Sequence, residues 1–173
     1  MLFIIDMQND YVDKDSGAHI VEEASTIVPT IIQEIKKAEA SGEPIYYTLD
    51  QHDTKNEERS RKGLEWGLEL YPPLKQALKN HIAINKKFHS ISPESASELR
   101  KQHQDSPDKT IKIVGVETNV CVISNAIMLH NSFPLSSIHI LEDMCIGTTE
   151  KLHQEALNVM KSLKMEIKTS SNL

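Results

Sequence analysis

A carboxylate, an amine and a thiol stand at positions in the sequence where they could form one reactive site. Asp6, Lys86 and Cys121 each follow a short run of apolar residues. The thiolate is the reactive form of cysteine, and a nearby cation or a helix amino terminus lowers the pKa of the thiol. A carboxylate can accept the thiol proton if a partly dry pocket raises its own pKa. These residue types therefore suit acyl transfer through a cysteine, and the backbone N–H groups beside Cys121 suit an oxyanion.

The amine is assigned from the alternation of side chains along a strand, because Lys86 and Lys87 are adjacent. Ile82 and Ile84 lie on one face of the predicted strand, and alternation carries Lys86 to the same face. Lys87 then lies on the opposite face, so we favour Lys86 as the site residue. The second cysteine, Cys145, has no comparable setting, and we interpret it as a packing or loop residue.

The apolar runs belong to a regular alternation of strands and helices. Strands are predicted at residues 1–5, 44–49, 81–84, 110–116, 137–141 and 165–167. Helices are predicted at residues 25–40, 72–80, 93–102, 119–130 and 149–163. This alternation predicts a three-layer α/β/α fold, in which helices cover both faces of a central, mostly parallel sheet. Functional residues of such sheets gather beyond the carboxyl ends of the strands, which is where Asp6, Lys86 and Cys121 stand.

The composition limits the classes to which the protein can belong. A chain of 173 residues suits one domain over residues 1–173. The 19 basic and 25 acidic residues give a formal net charge of -6, which argues against a nucleic-acid partner. The opening apolar run meets Asp6 without a basic flank, which is typical of neither a signal peptide nor a membrane span. Two cysteines make no disulfide scaffold, so we expect a cytoplasmic protein.

Two segments of the chain resemble the motifs of a known enzyme family. One is Phe-Ile-Ile-Asp-Met-Gln-Asn-Asp-Tyr at residues 3–11, and the other is Val-Gly-Val-Glu-Thr-Asn-Val-Cys-Val at residues 114–122. Both resemble the isochorismatase-like cysteine hydrolases, a family that includes nicotinamidases. The resemblance covers essentially the whole chain in the same order, including a lysine after the third strand. It implies a Rossmann-like hydrolase fold and a hydrolase activity.

The resemblance also implies roles for the residues at the strand ends. In the implied catalytic triad, Asp6 is the base, Lys86 stabilises the thiolate and Cys121 forms a thioester with the substrate. A cis peptide bond between Val116 and Glu117 would aim the Glu117 N–H beside the Cys121 N–H as an oxyanion hole. The implied reaction is hydrolysis of the C–N bond of a small-molecule amide, as in nicotinamidases.

Asp50 and His52 resemble the Asp-x-His segment with which nicotinamidases bind a divalent metal. A zinc, iron or manganese site needs at least three protein ligands. Nicotinamidases supply another histidine downstream, but residues 55–74 contain none. The substitutes that the sequence offers are Glu57, Glu58 and Glu65. We therefore expect an incomplete metal site at Asp50 and His52, and no cofactor is certain.

The expected partner is a small-molecule substrate bound beside the triad. Gln8 and Tyr11 belong to the first motif, and we place both in the substrate pocket. Residues 50–66 are polar and lack periodicity, which predicts a long loop that shapes specificity. We expect no nucleic-acid or membrane partner, and the apolar faces of nearly every predicted helix leave a homo-oligomer open.

Two other functions fit parts of the pattern. Isochorismatases of the same family cleave a vinyl ether and need no metal, which agrees with the incomplete ligand set. A non-catalytic member would instead serve as a binding module or assembly subunit, although the intact Asp6, Lys86 and Cys121 argue against this. Fast and selective alkylation of Cys121 would separate a nucleophile from a buried core thiol.

Overall fold

The computed structural model describes residues 1–51, 62–103 and 110–172. Its central sheet has the strands β1 (Leu2–Ile5), β2 (Ile45–Asp50), β3 (Ile82–Lys86), β4 (Ile111–Val116), β5 (Ile138–Ile146) and β6 (Glu166–Lys168). The strand order is β3-β2-β1-β4-β5-β6, and all neighbouring strands pair in parallel. The predicted parallel sheet is confirmed.

Helices cover both faces of this sheet. In the described ranges they are α1 (Asn9–Val12), α2 (Val28–Ala40), α3 (Leu64–Leu68), α4 (Pro72–Ala77), α5 (Pro93–Gln102), α6 (Ile123–Ser132) and α7 (Glu150–Ser162). α5, α6 and α7 pack into one hydrophobic core, whereas α2 and α4 pack into the core on the other face. The predicted three-layer architecture is therefore confirmed. None of the described helices is long and apolar enough to cross a membrane.

The strand β1 lies at the centre of both cores. Phe3 and Ile5 belong to one core, and Leu2 and Ile4 belong to the other. All four side chains are fully buried. A strand that is buried on both faces is apolar throughout, which explains why the first residues of the chain form a continuous apolar run. The residue that follows this run, Asp6, therefore extends directly from a fully buried strand.

Local sequence signals fix the ends of two helices. Ser92 precedes α5, and its hydroxyl oxygen accepts a hydrogen bond from the Ser95 N–H at 3.2 Å, which caps the helix. α2 ends at Ala40, and Gly42 follows with a φ of 68°, a left-handed conformation that glycine adopts without strain. Both signals are legible in the sequence, and they explain why these boundaries were predicted to within a residue or two.

Two elements differ from the prediction. β5 continues to Ile146 instead of ending at residue 141, so Cys145 lies inside a strand and is buried. The charged residues Glu142 and Asp143 hid this continuation in the sequence. The strand extends past Leu141, where its pairing with β6 ends, and Asp143 is exposed beyond that point.

The predicted helix at residues 119–130 is also different. It begins as a π-helical turn, Thr118–Val122, and only then continues as α6. Its apolar residues are not all buried, since Ile127 is 37% exposed. Of the predicted loop at residues 50–66, residues 52–61 lie outside the described residues, and Leu64 onward forms α3.

Gly115 lets β4 approach β1 closely at the carboxyl end of the sheet. Gly115 pairs with Ile5 and has a φ of 118°. A Cβ atom at this position would collide with the backbone of Ile5. A side chain is excluded here both by conformation and by space. The glycine in the second motif thus brings the end of β1, which carries Asp6, against the end of β4, which leads to Cys121.

Candidate active site

The structure brings Asp6, Lys86 and Cys121 together at the carboxyl end of the sheet. The Lys86 Nζ lies 2.7 Å from the Asp6 Oδ2 and 3.5 Å from the Cys121 Sγ. All three residues are buried. Lys86 is the last residue of β3, Asp6 follows β1, and Cys121 lies in the π-helical turn after β4. Three separate segments of chain therefore bring a carboxyl group, an ammonium and a thiol to one point.

Two neighbours orient the carboxylate of Asp6. The Thr48 hydroxyl donates a hydrogen bond to the Asp6 Oδ1 at 2.6 Å and accepts one from the Asp6 N–H at 3.1 Å. The other oxygen, Oδ2, faces the Lys86 ammonium. Asp6 has a φ of 48°, an uncommon conformation for a residue with a side chain. Sequence reasoning missed Thr48, because a threonine in the middle of a strand is an ordinary strand residue.

Burial and charge shift the pKa values of all three groups. Burial raises the pKa of Asp6 above its usual value, although the charge of Lys86 opposes the rise. Burial and then the charge of Asp6 raise the pKa of the Cys121 thiol, and the charge of Lys86 lowers it only in part. Burial lowers the pKa of Lys86, but attraction to Asp6 and Cys121 outweighs this and raises it overall. A thiol and a carboxyl group whose pKa values are both raised therefore stand beside an amine whose pKa is also raised.

These shifts correct one expectation about the thiol. A cation beside Cys121 was expected to make it acidic, and Lys86 does act in that direction. Burial acts in the opposite direction and has the larger effect. The raised pKa favours a protonated thiol in the free site, so attack by the sulfur would require a base that accepts this proton.

The turn that carries Cys121 is held by hydrogen bonds at both ends. The peptide bond between Val116 and Glu117 is cis, as the resemblance implies. The next residue, Thr118, is fully buried, and its hydroxyl lies 2.8 Å from the Nδ1 of His153 on α7. Helix α7 thereby fixes the start of the cysteine turn. Sequence reasoning missed this role of His153.

A cavity of about 470 Å³ opens above these groups. Its lining includes the reactive Asp6 and Cys121, the apolar Val116 and Val120, and the aromatic Tyr11 and Phe88. A volume of this size accommodates a small organic molecule. The cavity is therefore the natural place for a substrate whose reacting atom lies at the sulfur.

Three lining residues were not predicted from the sequence. His19, Phe88 and His89 all border the cavity, and the Phe88 ring is 80% exposed. Lys87 borders it as well, although alternation was expected to carry it to the opposite face. The alternation rule fails there because β3 ends at Lys86, and the chain turns before Lys87.

Gln8 and Tyr11 play different parts from one another. Tyr11 lines the cavity, and its hydroxyl donates a hydrogen bond to the Asp50 Oδ2 at 2.9 Å. Gln8, in contrast, is fully buried. Its amide donates to the carbonyl oxygens of Asp50 and Leu68 and accepts from the Asp50 N–H at 2.7 Å. The placement of Gln8 in the substrate pocket is corrected: Gln8 holds the backbone of Asp50.

The described residues contain one cluster whose spacing could hold a metal ion. Ligand atoms of Asp6, Asp50 and Cys121 lie within 4.8 Å of one another. The Lys86 ammonium already lies among them, 2.7 Å from Asp6, 3.5 Å from Cys121 and 3.6 Å from the Asp50 Oδ2. A second cation at the same place would meet strong repulsion from this buried charge. These three residues therefore do not fit a metal ion while Lys86 is charged.

The other metal ligands considered from the sequence are distributed differently. Glu65 is exposed on α3. His52, Glu57 and Glu58 lie outside the described residues. The pair of Asp50 and His52 stays a prediction.

Comparison with known proteins supports the fold. The isochorismatase domain family matches residues 1–171. No curated protein sequence matches the chain. Its fold is similar to the pyrazinamidase/nicotinamidase of Streptococcus mutans, with a TM-score of 0.78 and 24% identity over 96% of this chain and 98% of that one. For the pyrazinamidase of Pyrococcus horikoshii in complex with zinc, the TM-score is 0.77, with 22% identity over 97% of each chain.

A third solved structure, an isochorismatase family protein from Desulfovibrio vulgaris, has a TM-score of 0.80. It shares 20% identity over 97% of this chain and 92% of that one. Identities this low support the shared fold alone. The family match spans nearly the whole length and includes both motifs that flank the buried carboxylate, lysine and thiol. The chain thus belongs to the isochorismatase family and is a hydrolase.

Proposed function

We propose that the protein hydrolyses the C–N bond of a small-molecule amide through Cys121, with Asp6 as the proton carrier and Lys86 as the stabilising cation. The observation that carries this proposal is the position of the Lys86 ammonium, which contacts both the carboxylate and the sulfur at the cavity. One buried cation beside both a base and a nucleophile stabilises the negative charge whether the oxygen or the sulfur carries it, so a proton can move from sulfur to oxygen.

The first half of the reaction forms a thioester. The Cys121 sulfur attacks the carbonyl carbon of the amide as its proton passes to Asp6, and the carbonyl oxygen becomes an oxyanion. The tetrahedral intermediate collapses, the C–N bond breaks, and Asp6 returns the proton to the departing nitrogen. Ammonia or an amine leaves, and the acyl group stays on the sulfur. Because the pKa of Asp6 is raised by burial, Asp6 can both accept and donate this proton near neutral pH.

The second half of the reaction releases the acid. Asp6, now unprotonated, takes a proton from a water molecule that attacks the thioester. The C–S bond breaks, the proton passes from Asp6 to the sulfur, and the free site is restored. Lys86 stays charged throughout, since its own pKa lies above the usual value. No step requires a metal ion.

The proposed oxyanion hole is made of backbone groups. The N–H groups of Glu117 and Cys121 both belong to the segment after β4 that borders the cavity. Donors of this kind, held in place before the reaction, stabilise the charge that develops on the carbonyl oxygen. Removal of one such donor typically slows a hydrolase by about 100-fold to 1,000-fold.

Ammonia release from a panel of small amides tests the proposal. The panel includes nicotinamide and pyrazinamide, because solved relatives of the same fold carry those activities in their names. Each amide is assayed with the wild type, with Cys121→Ser and with Cys145→Ser. Cys145 is a matched control, since it is also a free and buried cysteine but lies in β5, and burial raises its pKa to about 12.

The expected result is ammonia from at least one amide, its loss in Cys121→Ser, and its retention in Cys145→Ser. Serine is nearly the same size, but its hydroxyl ionises far less readily beside a single carboxylate. Activity of Cys121→Ser within tenfold of the wild type would remove Cys121 as the nucleophile. Cleavage of a vinyl ether substrate by a protein that is inert toward every amide would instead assign the isochorismatase reaction.

A further inference from the structure

Asn125 is a buried side chain next to the site to which the proposed mechanism gives no role. It lies on α6, one turn after Cys121, and only 1% of it is exposed. Its Nδ2 donates hydrogen bonds to the Cys121 carbonyl at 2.7 Å and to the His89 carbonyl at 3.0 Å. Its Oδ1 accepts a hydrogen bond from the Ile91 N–H at 2.9 Å. One side chain thus joins two segments that are far apart in sequence.

The two joined segments carry the two groups whose contact matters for the sulfur. One is the turn of Cys121. The other runs from Lys86 to Ile91, and within it the Lys86 Nζ donates a hydrogen bond to the Phe88 carbonyl at 3.0 Å. The lysine is therefore tied to its own following segment, and Asn125 ties that segment to the cysteine turn. Together with the 3.5 Å contact between the Lys86 Nζ and the Cys121 Sγ, these bonds form a closed ring of contacts.

The chemistry of the amide explains why an asparagine suits this position. An asparagine offers two donors and one acceptor site in a fixed plane, and here all three functions are used by backbone groups. Loss of the side chain would leave the buried Ile91 N–H without its acceptor and the two carbonyls without their donor. Buried groups without partners are unfavourable, so the segments would separate until water or another group could reach them.

We propose that Asn125 is a positioning residue that sets the distance between the Lys86 ammonium and the Cys121 sulfur. It acts through the backbone of the two segments and touches neither reacting atom. The inference rests on the proposed function only in taking Cys121 as the nucleophile. Its consequence is that the reactivity of the sulfur depends on a side chain outside the cavity lining.

The test compares three variants on one helix. Asn125→Ala removes both connections. Asn125→Ser is expected to keep a bond to the Cys121 carbonyl, because the neighbouring Ser124 makes the equivalent bond to the Val120 carbonyl at 2.6 Å. Asn131→Ala is the matched control, since the Asn131 Nδ2 also bonds to the carbonyl four residues earlier, that of Ile127, at 2.8 Å. Asn131 is exposed and lies near the end of α6, ten positions after Cys121.

The readout is the rate at which iodoacetamide alkylates Cys121 at a fixed pH, with the site of alkylation identified by peptide mass spectrometry. Melting temperatures are measured on the same samples. We expect Asn125→Ala to slow alkylation about tenfold, which equals one unit in the effective pKa of the thiol. Asn125→Ser is expected to recover part of the melting temperature but little of the alkylation rate. Asn131→Ala is expected to alkylate at the wild-type rate.

These outcomes separate a positioning role from a structural one. If Asn125→Ser recovers the alkylation rate together with the melting temperature, or if folded Asn125→Ala alkylates at the wild-type rate, the inference is overturned. Should Asn125→Ala fail to fold, the comparison of Asn125→Ser with Asn131→Ala decides the matter. If wild-type Cys121 reacts no faster than Cys145, the proposed function falls, and the inference falls with it.

Discussion

Two buried lysines lie at opposite ends of the sheet, and carboxylates hold both of them. Lys112 lies near the start of β4, where its Nζ is 2.6 Å from the Glu34 Oε1 and 3.2 Å from the Glu43 Oε2. Burial lowers its pKa, but the hydrogen bond and charge of Glu34 outweigh this, and the pKa is raised overall. Lys86 shows the same balance at the other end. A buried lysine between carboxylates is therefore no sign of a reactive site in itself.

The difference between the two regions lies in the third partner and in the position. The Lys86 Nζ contacts a sulfur at 3.5 Å and stands below a cavity, whereas the contacts of Lys112 are glutamates. Lys86 is at the carboxyl end of its strand, where parallel sheets open into a crevice. Lys112 is at the amino end. Location in the sheet and contact with a thiol thus distinguish the ion pair that we propose for catalysis from one that only holds the fold.

Replacement of Lys86 is expected to have the largest effect on activity. In Lys86→Met, no cation balances the charge on the sulfur, and we expect turnover to fall at least about 100-fold. The melting temperature should also fall, because the buried Asp6 either loses the partner of its charge or must take up a proton that it does not hold in the unfolded chain. Ammonia release and thermal melting measure both quantities. Retention of near wild-type turnover by this variant would contradict the role of Lys86.

Replacement of Lys112 is expected to lower stability without an effect on activity. Lys112→Met leaves the buried Glu34 with Lys37, an exposed lysine, at 3.4 Å. We expect the free energy of unfolding to fall by about 3 kcal/mol, since a buried charge has lost its main partner. Turnover per folded molecule should stay the same. Urea titrations measure the first quantity, and assays below the transition measure the second.

A double variant sharpens that result. Lys112→Met combined with Glu34→Leu removes both buried charges, so stability should return toward the wild-type value. If the double variant is less stable than Lys112→Met, then the loss comes from packing and not from the unpaired charge.

The loss of activity at low pH is expected to reflect the protonation of Asp6. As the pH falls through the raised pKa of Asp6, the carboxyl becomes protonated and can no longer accept the thiol proton, so activity is lost. The hydrogen bond from Thr48 lowers this pKa. In Thr48→Val the acid limb should therefore move to higher pH, by about one unit for a hydrogen bond of about 1.4 kcal/mol.

The control for this shift is Thr26→Val, which removes an exposed threonine hydroxyl bonded to the Glu23 carbonyl at 2.6 Å. Its profile should match that of the wild type. An acid limb that is unmoved in Thr48→Val would mean that a group other than Asp6 controls the acid side.

The sequence was sufficient for the residues that directly follow strands. Asp6, Lys86 and Cys121 could be placed together because short apolar runs identify the strands, and the carboxyl ends of parallel strands share one edge. The same logic failed at Lys87, since side-chain alternation holds only while the strand continues. Local patterns in the sequence thus predict which strand ends lie together, but not the path that the chain takes beyond a strand.

The supporting residues could not be predicted for a different reason. Thr48 and Gln8 each bond to a partner 42 positions away, and Asn125 bonds to Ile91 at a separation of 34. Polar side chains in a strand, a motif and a helix look ordinary until the fold brings their partners near. Such contacts depend on the packed structure, and no periodicity in the sequence records them.

The smallest expected effect concerns the metal ion. The cation at the carboxyl end of the sheet is already the Lys86 ammonium, which lies 3.6 Å from the Asp50 Oδ2, and Tyr11 donates to the same oxygen. Asp50 and His52 alone would hold a divalent ion loosely, because a tight zinc site needs about four ligands with at least three from the protein. Protein purified without added metal should contain less than one equivalent by elemental analysis. Chelation should shift its melting temperature by no more than about 2 °C, since a ligand that is bound weakly or in a small fraction of molecules adds little stability.

The opposite result would point to a further ligand among the residues that the sequence offers. A full equivalent of zinc, iron or manganese, together with a large drop in melting temperature on chelation, would require at least one more ligand besides Asp50 and His52. Variants of Glu57, Glu58 and Glu65 to glutamine would then show which one it is, because only the true ligand would reduce the metal content. Bound metal would also mean that Asp50 leaves Lys86 when the ion binds, since the ammonium and the ion compete for the same carboxylate. The two ends of the sheet would then differ in a further way, with a metal ion at one end and only an ion pair at the other.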